Sequence, residues 1–166
     1  TKISLSPLFC GECCFMNGDI RELYQEMIMD HNKNPRNFHA MADADRTVEG
    51  YNPLCGDHFK VYVKMEGDVI KDISFDGSGC AISKSSASMM TAALKGKTRA
   101  EAKALFEEVR KMLSRGIGEP FDAAKVGKLA TLGGVCEFPS RVKCASLAWH
   151  TMIEGLEPTG KQVTTE

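Results

Sequence analysis

The chain has 166 residues, of which 43% are hydrophobic and 26% charged, and its formal net charge is −1. That length suits one domain around a single core. The near-neutral balance gives no ground for nucleic acid or an anionic membrane as a general partner, and no apolar run reaches the length of a membrane span.

From the N-terminus, only the short patch Leu5 to Phe9 is apolar, without a signal-peptide layout, so residues 1–18 read as a flexible extension. The expected location is then cytoplasmic, where thiols stay reduced and cysteines serve more often as ligands or nucleophiles than as disulfides. Seven cysteines is an odd number, which excludes a complete intrachain disulfide framework. Cys10-Gly11-Glu12-Cys13-Cys14 has the spacing of a metal clip or redox pair. No second C-x-x-C completes a zinc site and no βαβ pattern follows, so it reads as incidental to the extension.

Asp19-Ile20-Arg21-Glu22 predicts a capping box and a helix to about His31, with Leu23, Met27 and Ile28 on one face. Asn32 to Pro35 ends it. Asp30, Asn34, Arg36 and Asn37 near that end are candidates for contact with a partner. A first short strand is expected over Thr47 to Tyr51. Phe59, Val61 and Val63 alternate with Lys60, Tyr62 and Lys64, a half-buried strand, and Val69 to Phe75 returns after the Glu66-Gly67-Asp68 turn. Asp76 to Gly79 breaks this strand, and a helix begins at Cys80 and runs to about Lys95, with Ala87, Met90 and Leu94 inward.

Thr98-Arg99-Ala100-Glu101 is a second capping box, opening a helix to Ser114 with an apolar stripe from Ala102 to Leu113. Gly116 to Asp122 is a loop, Ala123 to Leu132 a short helix interrupted by Gly133-Gly134, and Ser140 the expected N-cap of a last helix to about Glu154. The predicted fold is α+β, a small antiparallel three-stranded sheet with helices packed on one face. Residues 19–155 form the domain and 156–166 a flexible C-terminal tail.

Three cysteines stand where a thiolate is wanted: Asn52-Pro53-Leu54-Cys55-Gly56-Asp57, Gly77-Ser78-Gly79-Cys80 and Arg141-Val142-Lys143-Cys144. The first is in a Pro/Gly loop with a carboxylate two residues on. The second lies at a helix start and the third near another, where partial positive charge and free N–H groups favour thiolate over thiol. Gly77 and Gly79 favour close backbone approach around Cys80. Cys55, Asp57, Cys80 and Cys144 together make a four-ligand set for zinc or iron. Three thiolates and a carboxylate exceed the charge of a divalent ion, and Arg141 and Lys143 are placed to offset the surplus. Taken singly, Cys80 and Cys144 also suit small buried apolar positions and Asp57 a turn. His58 is expected to point away as its strand begins, His31 and His39 to be structural or exposed, and His150 to face solvent.

These three motifs, from Asp19 to Gly155, resemble the iron–sulfur cluster assembly proteins of the IscU/NifU N-terminal type. The resemblance implies a compact α+β domain whose three cysteines and aspartate meet at one exposed end. The IscU branch usually has histidine before the third cysteine, whereas Lys143 stands here, and Ala81 to Lys143 is long. Both features resemble the SufU branch, whose members bind zinc at this set and accept persulfide sulfur from a SufS-type cysteine desulfurase. Within that chemistry Cys55 is the expected sulfur acceptor, since its Pro/Gly loop moves more easily than two helix-anchored thiols, with Cys144 the alternative. A second implied reading is a scaffold that assembles a transient [2Fe–2S] cluster on Cys55, Cys80 and Cys144 for apo-proteins; a third is a purely structural zinc domain. Glu137 to Lys143 keeps only part of the chaperone-recognition Leu-Pro-Pro-Val-Lys, so an Hsp70-type chaperone is not among the implied partners. No role is assigned to Cys10, Cys13, Cys14 or Cys136.

Overall fold

A computed structural model describes residues 18–165, with side chains from Glu22 onward. The extension carrying Cys10, Cys13 and Cys14 and the side chains of Asp19 to Arg21 lie outside the described residues. In chain order the elements are α1 Gly18–Lys33, β1 Arg46–Asn52, β2 Asp57–Glu66, β3 Val69–Ser78, α2 Ala81–Leu94, α3 Arg99–Ser114, α4 Ala123–Val126, a 3-10 helix Gly127–Glu137, α5 Pro139–Leu156 and β4 Val163–Thr164.

The α+β expectation holds, but the sheet has four strands in the order β3-β2-β1-β4 rather than three. β1, β2 and β3 are the antiparallel meander read from the alternation. β4 runs parallel to β1, with Val163 opposite Gly50 and Thr164 opposite Tyr51. Two residues are too few to show a strand period, which is why the pairing was missed.

Alternation along β2 sends Asp57, Phe59, Val61 and Val63 to the buried side. There α5 crosses β1 and β2, while α2 packs on β3 and on α5. Trp149 of α5 is fully buried, and its Nε1–H donates to Ser86 Oγ of α2 at 3.2 Å, where the hydroxyl turns on to the Ala145 carbonyl. Ala87, Met90 and Leu94 face inward as expected. The Thr98–Glu101 capping box forms with both hydrogen bonds. In α1, Ile28 packs on the core, but Leu23 is 52% exposed because the helix lies at the edge.

Two expectations near the C-terminal half are corrected. Gly133-Gly134 does not interrupt the helical run, because the 3-10 helix continues through it. A Cβ at Gly133 would come within 2.8 Å of the Phe121 ring, so this glycine admits close packing. The last helix is capped by the backbone of Phe138 with Pro139 in its first turn, not by Ser140. Proline suits that place because its missing N–H would be unpaired there anyway.

Candidate metal centre

The base of the β1–β2 hairpin is built from two buried side chains, Asn52 and Asp57, which face each other in register. Between them the chain turns from Pro53 to Gly56, with Gly56 at φ 71°. The Asn52 carbonyl accepts the Gly56 N–H at 2.8 Å and its Oδ1 accepts the Leu54 N–H at 3.1 Å. The turn pushes Cys55 and Leu54 outward; both are exposed, Leu54 at 68%.

Cys144 approaches from α5 and is fully buried. Its Sγ lies 3.2 Å from Cys55 Sγ. Asp57 completes a triad: a carboxylate oxygen and the two sulfurs all lie within 4.8 Å of one another. Asp57 Oδ1 accepts the Cys80 N–H at 2.9 Å, whereas its Oδ2 is buried with no hydrogen-bond partner among the described residues. Cys80 is the N-cap of α2, its sulfur accepting the Ser83 N–H at 3.5 Å. Its Sγ falls outside the triad, though its backbone is tied to Asp57.

Gly79 explains how three chain segments fit together. A Cβ there would lie 2.5 Å from Ser83 Oγ, 2.7 Å from the Phe59 ring and 2.8 Å from Asp57 Oδ1. No side chain fits, in keeping with the close approach expected of this glycine.

The donor set suits a divalent cation. Two sulfurs and a carboxylate within 4.8 Å of one another match zinc's preferred ligand types, and the orphaned Asp57 Oδ2 supplies a buried acceptor that a cation would satisfy. Burial first, and then the neighbouring Cys55 and Asp57, push the Cys144 thiol well above its ordinary range. Metal binding would therefore have to displace that proton. Arg141, exposed one turn earlier in α5, is held above the ordinary guanidinium value by its contact with Cys144 and by the charge of Cys80. Lys143 makes no side-chain hydrogen bond or ion pair among the described residues.

The remaining candidates lie elsewhere. His58 points outward and meets Glu49 at 3.2 Å. His39 contacts the Ala40 carbonyl, and exposed His150 lies edge-on to Phe106. His31 is half-buried against Ser88 of α2. Arg36 pairs with Asp30 at 2.7 Å and Asn37 donates to Thr91, so this group ties the end of α1 to α2. Cys136 sits half-buried on the 3-10 helix, outside the triad. Asn52 was not singled out beforehand, although its pairing with Asp57 across a Pro/Gly turn was a usable signal.

A protein-family model for the NifU-like N terminal domain matches residues 23–145. The chain is 40% identical over 141 residues to the zinc-dependent sulfurtransferase SufU of Bacillus subtilis, covering 84% of this chain and 93% of that protein. It is 40% identical over 139 residues to the iron–sulfur cluster assembly scaffold protein IscU of Streptococcus pyogenes, covering 83% and 85%. A crystal structure from Fervidobacterium islandicum, described as a candidate cluster assembly scaffold for the SUF system, superposes with a TM-score of 0.75 at 34% identity, covering 82% of this chain and 98% of that one.

Proposed function

Because this chain belongs to the family of NifU-like N-terminal domains, we propose that it serves iron–sulfur cluster assembly by accepting persulfide sulfur at Cys55 in a zinc-dependent, SufU-like manner. The observation that carries the reading is the exposed Cys55 sulfur set 3.2 Å from buried Cys144 and beside a buried, half-orphaned Asp57. Cys55, Asp57, Cys80 and Cys144 would hold the zinc. When bound, it would keep these sulfurs as thiolates at neutral pH.

The Cys55 thiolate attacks the terminal sulfur of a donor persulfide. The donor's S–S bond breaks, its cysteine leaves as thiolate, and a new S–S bond forms on Cys55, without net oxidation or reduction. Asp57, harder and weaker as a zinc ligand than a fourth thiolate, makes the set easier to open than Cys₄. Arg141 offsets negative charge as the donor approaches. Exposed Leu54 and Phe138, at 68% and 58%, offer apolar contact to that donor, a SufS-type cysteine desulfurase. Cluster assembly proteins downstream would receive the sulfur. The chemistry needs reduced thiols, which supports a cytoplasmic setting.

Relatives named as scaffolds favour a second reading, in which Cys55, Cys80 and Cys144 carry a transient [2Fe–2S] cargo. Anaerobic purification with zinc, iron and acid-labile sulfide quantified separates the two. Stoichiometric zinc, with labelled sulfur passing from a cysteine desulfurase to Cys55, is the expected result. Stoichiometric iron and sulfide without zinc would select the scaffold.

A further inference from the structure

We propose that Asn52 is the positioning residue that makes the site's thiols unequal, holding Cys144 back so that Cys55 is the sulfur that reacts. The biological meaning of this assignment rests on the sulfur-acceptance reading above; the geometry does not. Asn52 is fully buried at the end of β1. Its Nδ2–H donates to Cys144 Sγ at 3.7 Å, across 92 residues of sequence. Its Oδ1 and its carbonyl hold the Leu54 and Gly56 N–H groups of the turn that carries Cys55. One side chain thus fixes the buried thiol and aims the exposed one.

The three sulfurs differ in what donates to them. Cys80 Sγ receives the Ser83 backbone N–H, and Cys144 Sγ receives the Asn52 amide beside its contact with Arg141. Cys55 Sγ receives no N–H among the described residues, only the contact with Cys144. On a sulfur already held as thiolate by a metal, an N–H donor draws electron density and fixes its direction, which lowers its readiness to attack. An uncharged donor suits a place already rich in negative charge: aspartate at position 52 would add to that surplus and accept where a donor is needed.

The test needs no desulfurase. The full chain, loaded with zinc so that the sulfurs are thiolates, is treated with substoichiometric iodoacetamide, quenched and digested, and the label on Cys55, Cys80 and Cys144 is read by mass spectrometry. Asn52→Asp keeps an oxygen for the Leu54 N–H and removes the donor to Cys144. Asn52→Ser removes the amide donor without adding a charge and keeps an oxygen, one atom shorter, for the Leu54 N–H. Circular-dichroism melting checks that each is folded. The expected result is a Cys144-to-Cys55 label ratio raised about fivefold in both variants, the size of one ordinary hydrogen bond, with Cys80 unchanged. An unchanged ratio in a folded variant, or an equal rise at all three cysteines, would overturn the assignment. Failure of the wild type to take persulfide would sink the sulfur-transfer reading instead, leaving the label ratio intact.

Discussion

Replacing Asp57 by asparagine separates two roles that the native carboxylate combines. Oδ1 accepts the Cys80 N–H at 2.9 Å, which an asparagine oxygen can still do, and Oδ2 is buried without a partner among the described residues. Without metal, that orphaned oxygen is itself a cost of about 1–3 kcal/mol, so the asparagine variant should be no more than ~1 kcal/mol less stable than wild type. With zinc the comparison reverses. Loss of even an outer-shell partner weakens metal binding roughly 10- to 100-fold, which sets a floor for loss of a ligand. By linkage, zinc then adds at least about 1.4–2.7 kcal/mol less stability to the variant. At roughly 2–4 °C per kcal/mol for a domain of this size, the zinc-induced rise in Tm should shrink by about 3–10 °C. Calorimetric scans of both proteins, with chelator and with excess zinc, measure the four transitions. Equal zinc-induced shifts would refute Asp57 as a ligand, and collapse of the chelated variant would show that it serves only to anchor α2.

Gly79→Ala should lower stability by about 1–3 kcal/mol and reduce zinc stoichiometry, because its Cβ would press on Asp57 Oδ1 and Ser83; normal metal content after purification would contradict this. Cys55→Ser should abolish persulfide uptake yet keep stability within about 0.5 kcal/mol, since the residue is exposed; retained uptake would pass the acceptor role to Cys144. Ser86→Ala should cost about 1–3 kcal/mol by stranding the buried Trp149 Nε1–H, read from urea midpoints. Stability should also fall as pH drops from about 7 toward 5. Burial first, then Arg36 and Lys128 against the opposing Asp30, lower the pKa of His31. The unfolded chain therefore takes up a proton that the folded one resists, so this stability is present above the unfolded histidine pKa and is lost below it. The Arg36 N–H donates to Ser88 Oγ, leaving the hydroxyl proton for His31 Nδ1, which is consistent with the neutral ring. His31→Gln should flatten the slope of Tm against pH.

What was legible in the chain was whatever depends on near neighbours. The Thr98–Glu101 box closes over three residues, and the alternation of Phe59, Val61 and Val63 needs only one buried face. Cys55, Asp57 and Cys144, which the fold brings within 4.8 Å of one another, each sit beside a local marker, a turn or a helix start. What stayed hidden depends on distant partners. β4 exists only because β1 offers Gly50 and Tyr51 an edge, and Gly133 is a packing residue only because Phe121 lies over it. Leu23 was placed inward by helical period alone, which cannot say how far a face is covered. That Arg141 is coupled to Cys144 and Cys80 depends on the pose of α5, which its neighbours in sequence do not set.

The pairing of Asn52 with Asp57 ties these elements into one device. Each side chain stands at an end of the same turn and reaches one helix, Asp57 holding the N-cap of α2 and Asn52 the sulfur in α5. The helices therefore do not find each other's cysteines independently; the hairpin base sets both. Side chains on a strand alternate between faces, so a one-residue slip of β1 against β2 would send a different residue to each position and release both helices' thiols together. The turn between these anchors is held through its backbone at Leu54 and Gly56, while the Cys55 sulfur it carries receives no N–H among the described residues. Two sulfurs are thus fixed by donors while the third is placed by its turn and left exposed, the division of labour that the proposed acceptance of sulfur at Cys55 requires.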